Sequence, residues 1–172
     1  MRTSYFTSDF RLQTSDFRLQ AVPECVILIG LPGAGKSTFY EQNFAASHRH
    51  ISKDLWPNAA GRDARQRRVL ADALAAGESV VVDNTNPAIA DRAAIIGIAR
   101  ASGARVVGYF FDVTTRQAIA RNAERRDKKR VPNVAIFTVA KRLQPPTREE
   151  GFDELFRVTL TPDRTFSVAA IA

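Results

Sequence analysis

The chain has 172 residues, 45% hydrophobic and 25% charged, a size and balance that suit one globular domain with a sizeable core. Its single cysteine, Cys25, excludes an internal disulfide and fits a reducing, cytoplasmic setting, and no apolar run approaches the ~18 residues of a membrane span. A formal net charge of +7 and a pI near 10.2 favour a polyanionic partner without fixing a fold.

The chain opens on a duplication. Thr7–Gln13 and Thr14–Gln20 are the same heptad, TSDFRLQ. Two seven-residue copies are too short for a solenoid, and no continuous apolar run marks a secretory signal. Residues 1–22 therefore read as a disordered tail, with a docking peptide as the alternative, and residues 23–172 as the folded domain.

The next stretch, Cys25 to Thr38 (CVILIGLPGAGKST), runs from a buried-strand pattern into a glycine-rich turn. Gly30, Gly35, Lys36 and Ser37 fit the phosphate-binding spacing G-x-x-x-x-G-K-[ST], with Pro32, Gly33 and Ala34 inside the turn and Thr38 just after it. Glycines let several backbone N–H groups point into one concavity. A helix beginning near Lys36 aims its positive end at the same point. The Lys36 ammonium reaches β- and γ-phosphates, and the Ser37 hydroxyl ligates Mg²⁺. The expected ligands are ATP and Mg²⁺.

Thr38–Phe44 continues this helix, and Arg49–Ser52 reads as a second strand ending at Lys53-Asp54. Arg62–Ala76 is helical, with Val69, Leu70, Ala73 and Leu74 on one face and Gly77 as its stop. Ser79–Asp83 is a third strand. Asn84-Thr85-Asn86-Pro87 is a turn that caps the following helix, which runs to about Ser102. Arg105–Phe111 is a fourth strand, Thr115–Arg126 a fourth helix, Val134–Leu143 a fifth helix and Phe156–Leu160 a last strand. This alternation predicts an α/β, doubly wound, three-layer sandwich around a five-stranded parallel sheet, of the P-loop NTPase, nucleoside-kinase-like type. Ligands then bind beyond the carboxyl ends of the strands, where the P-loop, Asp54 and Asp83 all fall.

Three groups beyond the P-loop are candidates for chemistry. Asp83 closes a strand of three valines and can orient Ser37 or a Mg²⁺-bound water; a helix cap is the plainer role. Asp54 follows the second strand and is placed to accept a hydroxyl proton, or is an exposed turn residue. The basic segment Arg121 to Pro132 reads as a solvated helix end or as an arginine lid over ATP that supplies transition-state charge. Arg62, Arg65, Arg67 and Arg68 form a second basic cluster. His48 and His50 share one face of the second strand, but no further Cys/His cluster supports metal ligation. Trp56 reads as a loop anchor that is also able to stack on a base.

The stretches LIGLPGAGKSTF, SKD, VVVDNTNP, RN…R…VP and PPTREEGF resemble the kinase domain of polynucleotide 5′-hydroxyl kinases, over about Val26 to Thr159. The resemblance implies transfer of the γ-phosphate of ATP to a 5′-OH nucleic-acid end. It assigns phosphate and Mg²⁺ to Lys36 and Ser37, the general base to Asp54, the strand-end acid to Asp83, and nucleotide contacts to Arg121 and Arg125. Arg125 is the lid arginine by the count from Arg121-Asn122, with Arg126 as the alternative. No D-x-D-x-T phosphatase signature occurs, so phosphatase activity is not expected. Some relatives carry an acceptor-gripping arginine three residues after the base, where this chain has Pro57. That role is expected of Arg62 or Arg65, which lie three apart on one helix face. The departure keeps open a kinase of a small hydroxylated metabolite or antibiotic, and a nucleotide-dependent binding module with little turnover is a further alternative.

Overall fold

Alternating side-chain direction along one buried strand sets the layers of this molecule. In the computed structural model, which describes residues 22–125, 130–161, 163 and 165–172, strand β1 (Glu24–Ile29) has its last five residues wholly buried. Cys25, Ile27 and Ile29 point to one side of the sheet and Val26 and Leu28 to the other, as a two-residue period requires. The duplicated heptads lie outside the described residues.

After β1 come α1 (Lys36–Asn43), β2 (Arg49–Ile51), a 3₁₀ turn (Lys53–Leu55), α2 (Arg62–Ala75), β3 (Val80–Asp83), α3 (Ile89–Ala101) and β4 (Arg105–Phe111). Then follow α4 (Thr115–Glu124), α5 (Asn133–Arg142), a second 3₁₀ turn (Arg148–Glu150), β5 (Glu154–Leu160) and β6 (Phe166–Ala170). The sheet order is β2-β3-β1-β4-β5-β6. The first five strands in chain order run parallel, joined by helical crossovers. Helices α2 and α3 cover one face through Leu70, Ala73, Leu74, Ile95, Ile96 and Ala99. Helix α1 covers the other through Phe39, which meets Tyr109, Phe111 and Phe166 ring to ring. Leu31, Ala118 and Ile136 form a third apolar cluster, under α4 and α5. Cys25 is sealed in the core, and burial pushes its thiol up to about 12, so it is inert there.

Three details differ from the sequence reading. The sheet has a sixth strand: β6 pairs antiparallel with β5, from Phe156 opposite Ala170 to Leu160 opposite Phe166. Its sequence, FSVAA, puts one large side chain, Phe166, inward and leaves the rest exposed, so an apolar-pattern reading passes over it. The α3 helix starts at Ile89, and the Asp91 carboxylate, rather than the Asn84–Asn86 turn, receives the Ala88 N–H at 3.1 Å. Finally, α4 ends at Glu124, two residues before the expected stop.

Gly108 in β4 explains a distant motif. A Cβ there would come within 2.8 Å of the Phe152 ring and 2.6 Å of Leu155. Phe152 of the GF pair fills that gap, and Gly151 supplies the left-handed φ of 108° that turns the chain into β5.

Candidate functional site

The β1–α1 turn is shaped by glycines that nothing else replaces. Gly33, at φ 83°, lies so close to α4 that a Cβ would meet the Ala118 carbonyl at 2.7 Å. Gly35, at φ 100°, precedes α1 and faces the Phe166 ring. Lys36, the first residue of α1, is 8% exposed, and its Nζ donates to the carbonyls of Gly30 (3.0 Å) and Leu31 (2.8 Å). Burial lowers its pKa to about 8. The Arg125 charge adds to that shift, while Asp83 and Asp54 oppose it. Four of the expected charged groups thus converge on one point.

Asp83 reaches that point through sheet register, since Leu28 of β1 lies opposite it in β3. Ser37 Oγ donates to Asp83 Oδ2 at 2.7 Å. His50 Nε2 lies 3.1 Å from the same oxygen, and its ring stacks on Tyr40 with 4.1 Å between centroids. Burial works against ionisation of Asp83, but the His50 and Ser37 hydrogen bonds and the Lys36 charge outweigh it and hold the carboxyl below its ordinary value. The oxygen pair Ser37–Asp83 has the donor chemistry of a hard cation such as Mg²⁺, which takes one or two carboxylates and keeps waters and phosphate oxygens as its other ligands. His50 was weighed in the sequence only as a metal ligand; its contact with Asp83 depends on the pairing of β2 with β3.

Asp54 stands exposed in the 3₁₀ turn after β2. Its N–H is capped by Ser52 Oγ at 3.3 Å. The preceding N–H, of Lys53, donates to Asn84 Oδ1 at 3.0 Å, and Asn84 Nδ2 donates to Gln66 Oε1 of α2 at 2.8 Å. Asn84 therefore ties the Asp54 turn to β3 and α2 at once. Neither Asn84 nor Gln66 was singled out for this in the sequence, because the three partners come from separate elements.

The loop that follows β3 is held at each residue. Thr85 carbonyl accepts from Gly30 N–H at 3.0 Å, and Asn86, at φ 43°, donates its side-chain amide to the Leu28 carbonyl at 2.8 Å. The fully buried Arg92 donates to the Asn86 and Pro87 carbonyls at 3.1 and 3.0 Å. Its remaining edge makes a bidentate pair with Glu150 at 2.6 and 2.7 Å. Glu150 also receives the Thr147 N–H at 3.1 Å. VVVDNTNP and PPTREEGF are thus two ends of one clamp.

On the other side of the P-loop, Arg121 Nη1 donates to the Ala34 carbonyl at 3.4 Å. Asn122 is buried and exchanges both side-chain bonds with the Val131 backbone, at 2.7 and 3.1 Å, pinning the base of the basic segment. Arg125 caps the end of α4 beside the P-loop; Arg126, the alternative, lies outside the described residues.

Three cavities run side by side along the strand ends. The first, about 560 Å³, is lined by Gly33, Gly35, Thr38, Arg121, Arg125 and Phe166 among others. The second, about 190 Å³, takes in Pro32, Lys36, Ser37, Asp83, Arg125 and Asp54. The third, about 270 Å³, has Asp54 again, with Lys53, Arg62, Asn84, Asp91 and Arg142. Gly33, Gly35 and Arg125 join the first to the second, and Asp54, Asn84 and Thr85 join the second to the third. Of the two arginines expected beside Asp54, Arg62 lines the third cavity. Arg65 does not; its guanidinium lies over the Trp56 ring, 5.0 Å from the centroid. Arg142 joins this cavity from α5, a helix to which the sequence reading gave no acceptor role.

Known proteins resemble this chain in sequence and in fold. The bifunctional polynucleotide phosphatase/kinase of Schizosaccharomyces pombe is 29% identical over 146 residues, covering 83% of this chain and 35% of that protein. The chain thus spans about a third of that relative's length. Among solved structures, a fungal RNA kinase superposes with a TM-score of 0.63 at 19% identity, over 82% of this chain and 39% of that one. A gluconokinase from Sinorhizobium meliloti superposes with a TM-score of 0.58 at 19% identity, over 80% of this chain and 82% of that one. The fold is that of a P-loop kinase, with five parallel strands and one antiparallel strand in its sheet. A family model described as an AAA domain matches residues 25–146, and to that P-loop family the chain belongs.

Proposed function

We propose that this chain is an ATP-dependent kinase that transfers the γ-phosphoryl group to a 5′-hydroxyl end of a polynucleotide. The observation that carries the reading is the place of Asp54, at the boundary between the P-loop cavity and a second cavity walled by Lys53, Arg62 and Arg142. A donor phosphate on one side and an acceptor hydroxyl on the other then meet at a carboxylate. The 29% identical relative bears the kinase name, and the acceptor in that reading is the anionic polymer that a net charge of +7 favours.

In this reading ATP lies in the first cavity with its phosphates on the amides of Gly33 to Thr38. Lys36 moves from the Gly30 and Leu31 carbonyls to the β- and γ-phosphates. Ser37 and Asp83 would hold a Mg²⁺ ion that offsets phosphate charge. Asp54 accepts the proton of the 5′-hydroxyl as its oxygen attacks the γ-phosphorus in line, and the bond to the β-phosphate oxygen breaks to release ADP. Arg125 faces the charge that develops on the transferring group, and Arg121 fixes the P-loop from outside. Asn84 and Ser52 keep the base on its turn.

Pro57 and the likeness to a gluconokinase fold give a second reading, a small hydroxylated acceptor. Incubation with γ-labelled ATP and 5′-OH DNA and RNA oligonucleotides, beside a panel of sugars and other metabolites, decides between them. Label on the oligonucleotides is expected; label on a metabolite alone overturns the polynucleotide reading.

A further inference from the structure

The third cavity sets cations around the carboxylates of Asp54 and Asp91. Three cations line it, from three elements: Lys53 from the 3₁₀ turn, Arg62 from the start of α2 and Arg142 from the last residue of α5. Lys53 is committed to an ion pair with Asp63. Arg142 is held differently. Its Nη2 alone meets the Asp91 carboxylate, at 3.2 and 3.4 Å, and Asp91 is itself anchored by the Ala88 N–H at the start of α3. A guanidinium has five N–H donors in one plane, so a bond through Nη2 leaves an edge suited to a phosphate. Asp91 fixes the direction of that edge before any acceptor arrives. The Arg142–Asp91 pair is half-exposed, with side chains 58% and 37% accessible, and exposed pairs of this kind add little to stability. Stability therefore gives a weak reason for this arrangement at the mouth of a cavity that also holds Asp54.

We infer that Arg142 is a specificity-determining residue of the acceptor site. With Arg62 it grips the backbone phosphate nearest the 5′-hydroxyl, work that Pro57, with neither a side-chain donor nor an N–H, does not perform. The inference rests on the polynucleotide reading and sharpens it. A neutral polyol gains nothing from a second guanidinium, whereas a backbone phosphate gains a charge-assisted bond that places the hydroxyl beside Asp54.

The test compares wild type with Arg142→Ala, Arg142→Lys and Asp91→Asn on 5′-OH oligonucleotides, in kinase assays and in binding of a fluorescent oligonucleotide across a salt series. Loss of Arg142 is expected to lower kcat/KM about tenfold to a hundredfold, the range of one hydrogen bond to a charged group, mostly through the acceptor KM and with the ATP KM unchanged. The slope of log affinity against log salt should flatten by about 0.7, one single-strand phosphate contact. Arg142→Lys, a point charge without the planar fork, should recover the slope more than the rate. Asp91→Asn should raise the acceptor KM and leave kcat in place. An oligonucleotide with a methylphosphonate at the first linkage, which removes the Arg62 contact as well, should cost wild type at least that factor and should cost Arg142→Ala less than it costs wild type. If wild type labels oligonucleotides and Arg142→Ala matches it in kcat/KM and in salt slope, the inference falls and the kinase reading stands. If wild type labels no oligonucleotide, both fall together.

Discussion

The two sides of the cleft are built by different means. The P-loop side, proposed for the donor, is one continuous turn, residues 30–38, that offers mostly backbone amides shaped by glycine dihedrals. The side proposed for the acceptor is a set of side chains from the 3₁₀ turn, α2, the β3–α3 loop, α3 and α5. Backbone concavities are stiff by construction. An assembled wall needs polar ties, and this one has them: Asn84 between the Asp54 turn and α2, and Arg92 between the β3–α3 loop and Glu150. A kinase built this way keeps its phosphate donor fixed and leaves its acceptor open to change by substitution at the wall.

The largest difference between the sides should appear on neutralising the base. Asp54→Asn is expected to lower turnover by about 10²–10⁴-fold, the usual contribution of a positioned general base, and to leave ATP affinity near wild type. Lys36→Ala should lower both. Turnover and nucleotide titration of the two variants decide this; near-normal turnover of Asp54→Asn on every acceptor would move the base elsewhere.

Breaking the clamp should come next. Arg92→Ala leaves the Glu150 carboxylate buried without its partner and frees the Asn86 and Pro87 carbonyls. A stability loss of about 3–5 kcal/mol is expected in urea unfolding, the scale for one partner removed from a buried pair. A loss under 1 kcal/mol would show that the loop holds itself.

The buried lysine gives the donor side a pH signature. Its folded pKa of about 8 lies below the ordinary 10.5, so between those values the unfolded chain binds more protons than the folded one. Stability should therefore rise with pH across that window, relative to a Lys36→Met variant that carries no such proton. Equal pH profiles for the two proteins, measured by thermal unfolding, would mean that the ammonium is solvated.

The smallest effect is expected at Arg65, which the fold places over Trp56 and outside the acceptor wall. Arg65→Ala should cost about 0.5–1 kcal/mol of stability, the scale of an exposed cation–π contact, and leave acceptor kinetics within a factor of about three. A tenfold rise in the acceptor KM would put Arg65 back on the acceptor path.

The parallel α/β framework and the phosphate turn were legible because both are written locally. Runs such as VILI and VVVD report burial on both faces, and the turn needs its glycines, lysine and serine at fixed spacing. Asp54 and Asp83 followed from a general property of such sheets, since residues at strand ends face the ligand. Strand β6 was not legible, because an edge strand with one inward side chain carries no period strong enough to read.

By itself, then, the sequence determined the sheet's five parallel strands, the place of the phosphate turn and the carboxylates beside it. Only the tertiary structure decided who stands across from them. It put His50 on Asp83, Asn84 under the Asp54 turn and Arg142 in the cavity, and it turned Arg65 onto Trp56. The reason is geometric: a backbone loop is specified by dihedrals within a few residues, while a side-chain wall depends on how the crossover helices pack, which no local spacing encodes.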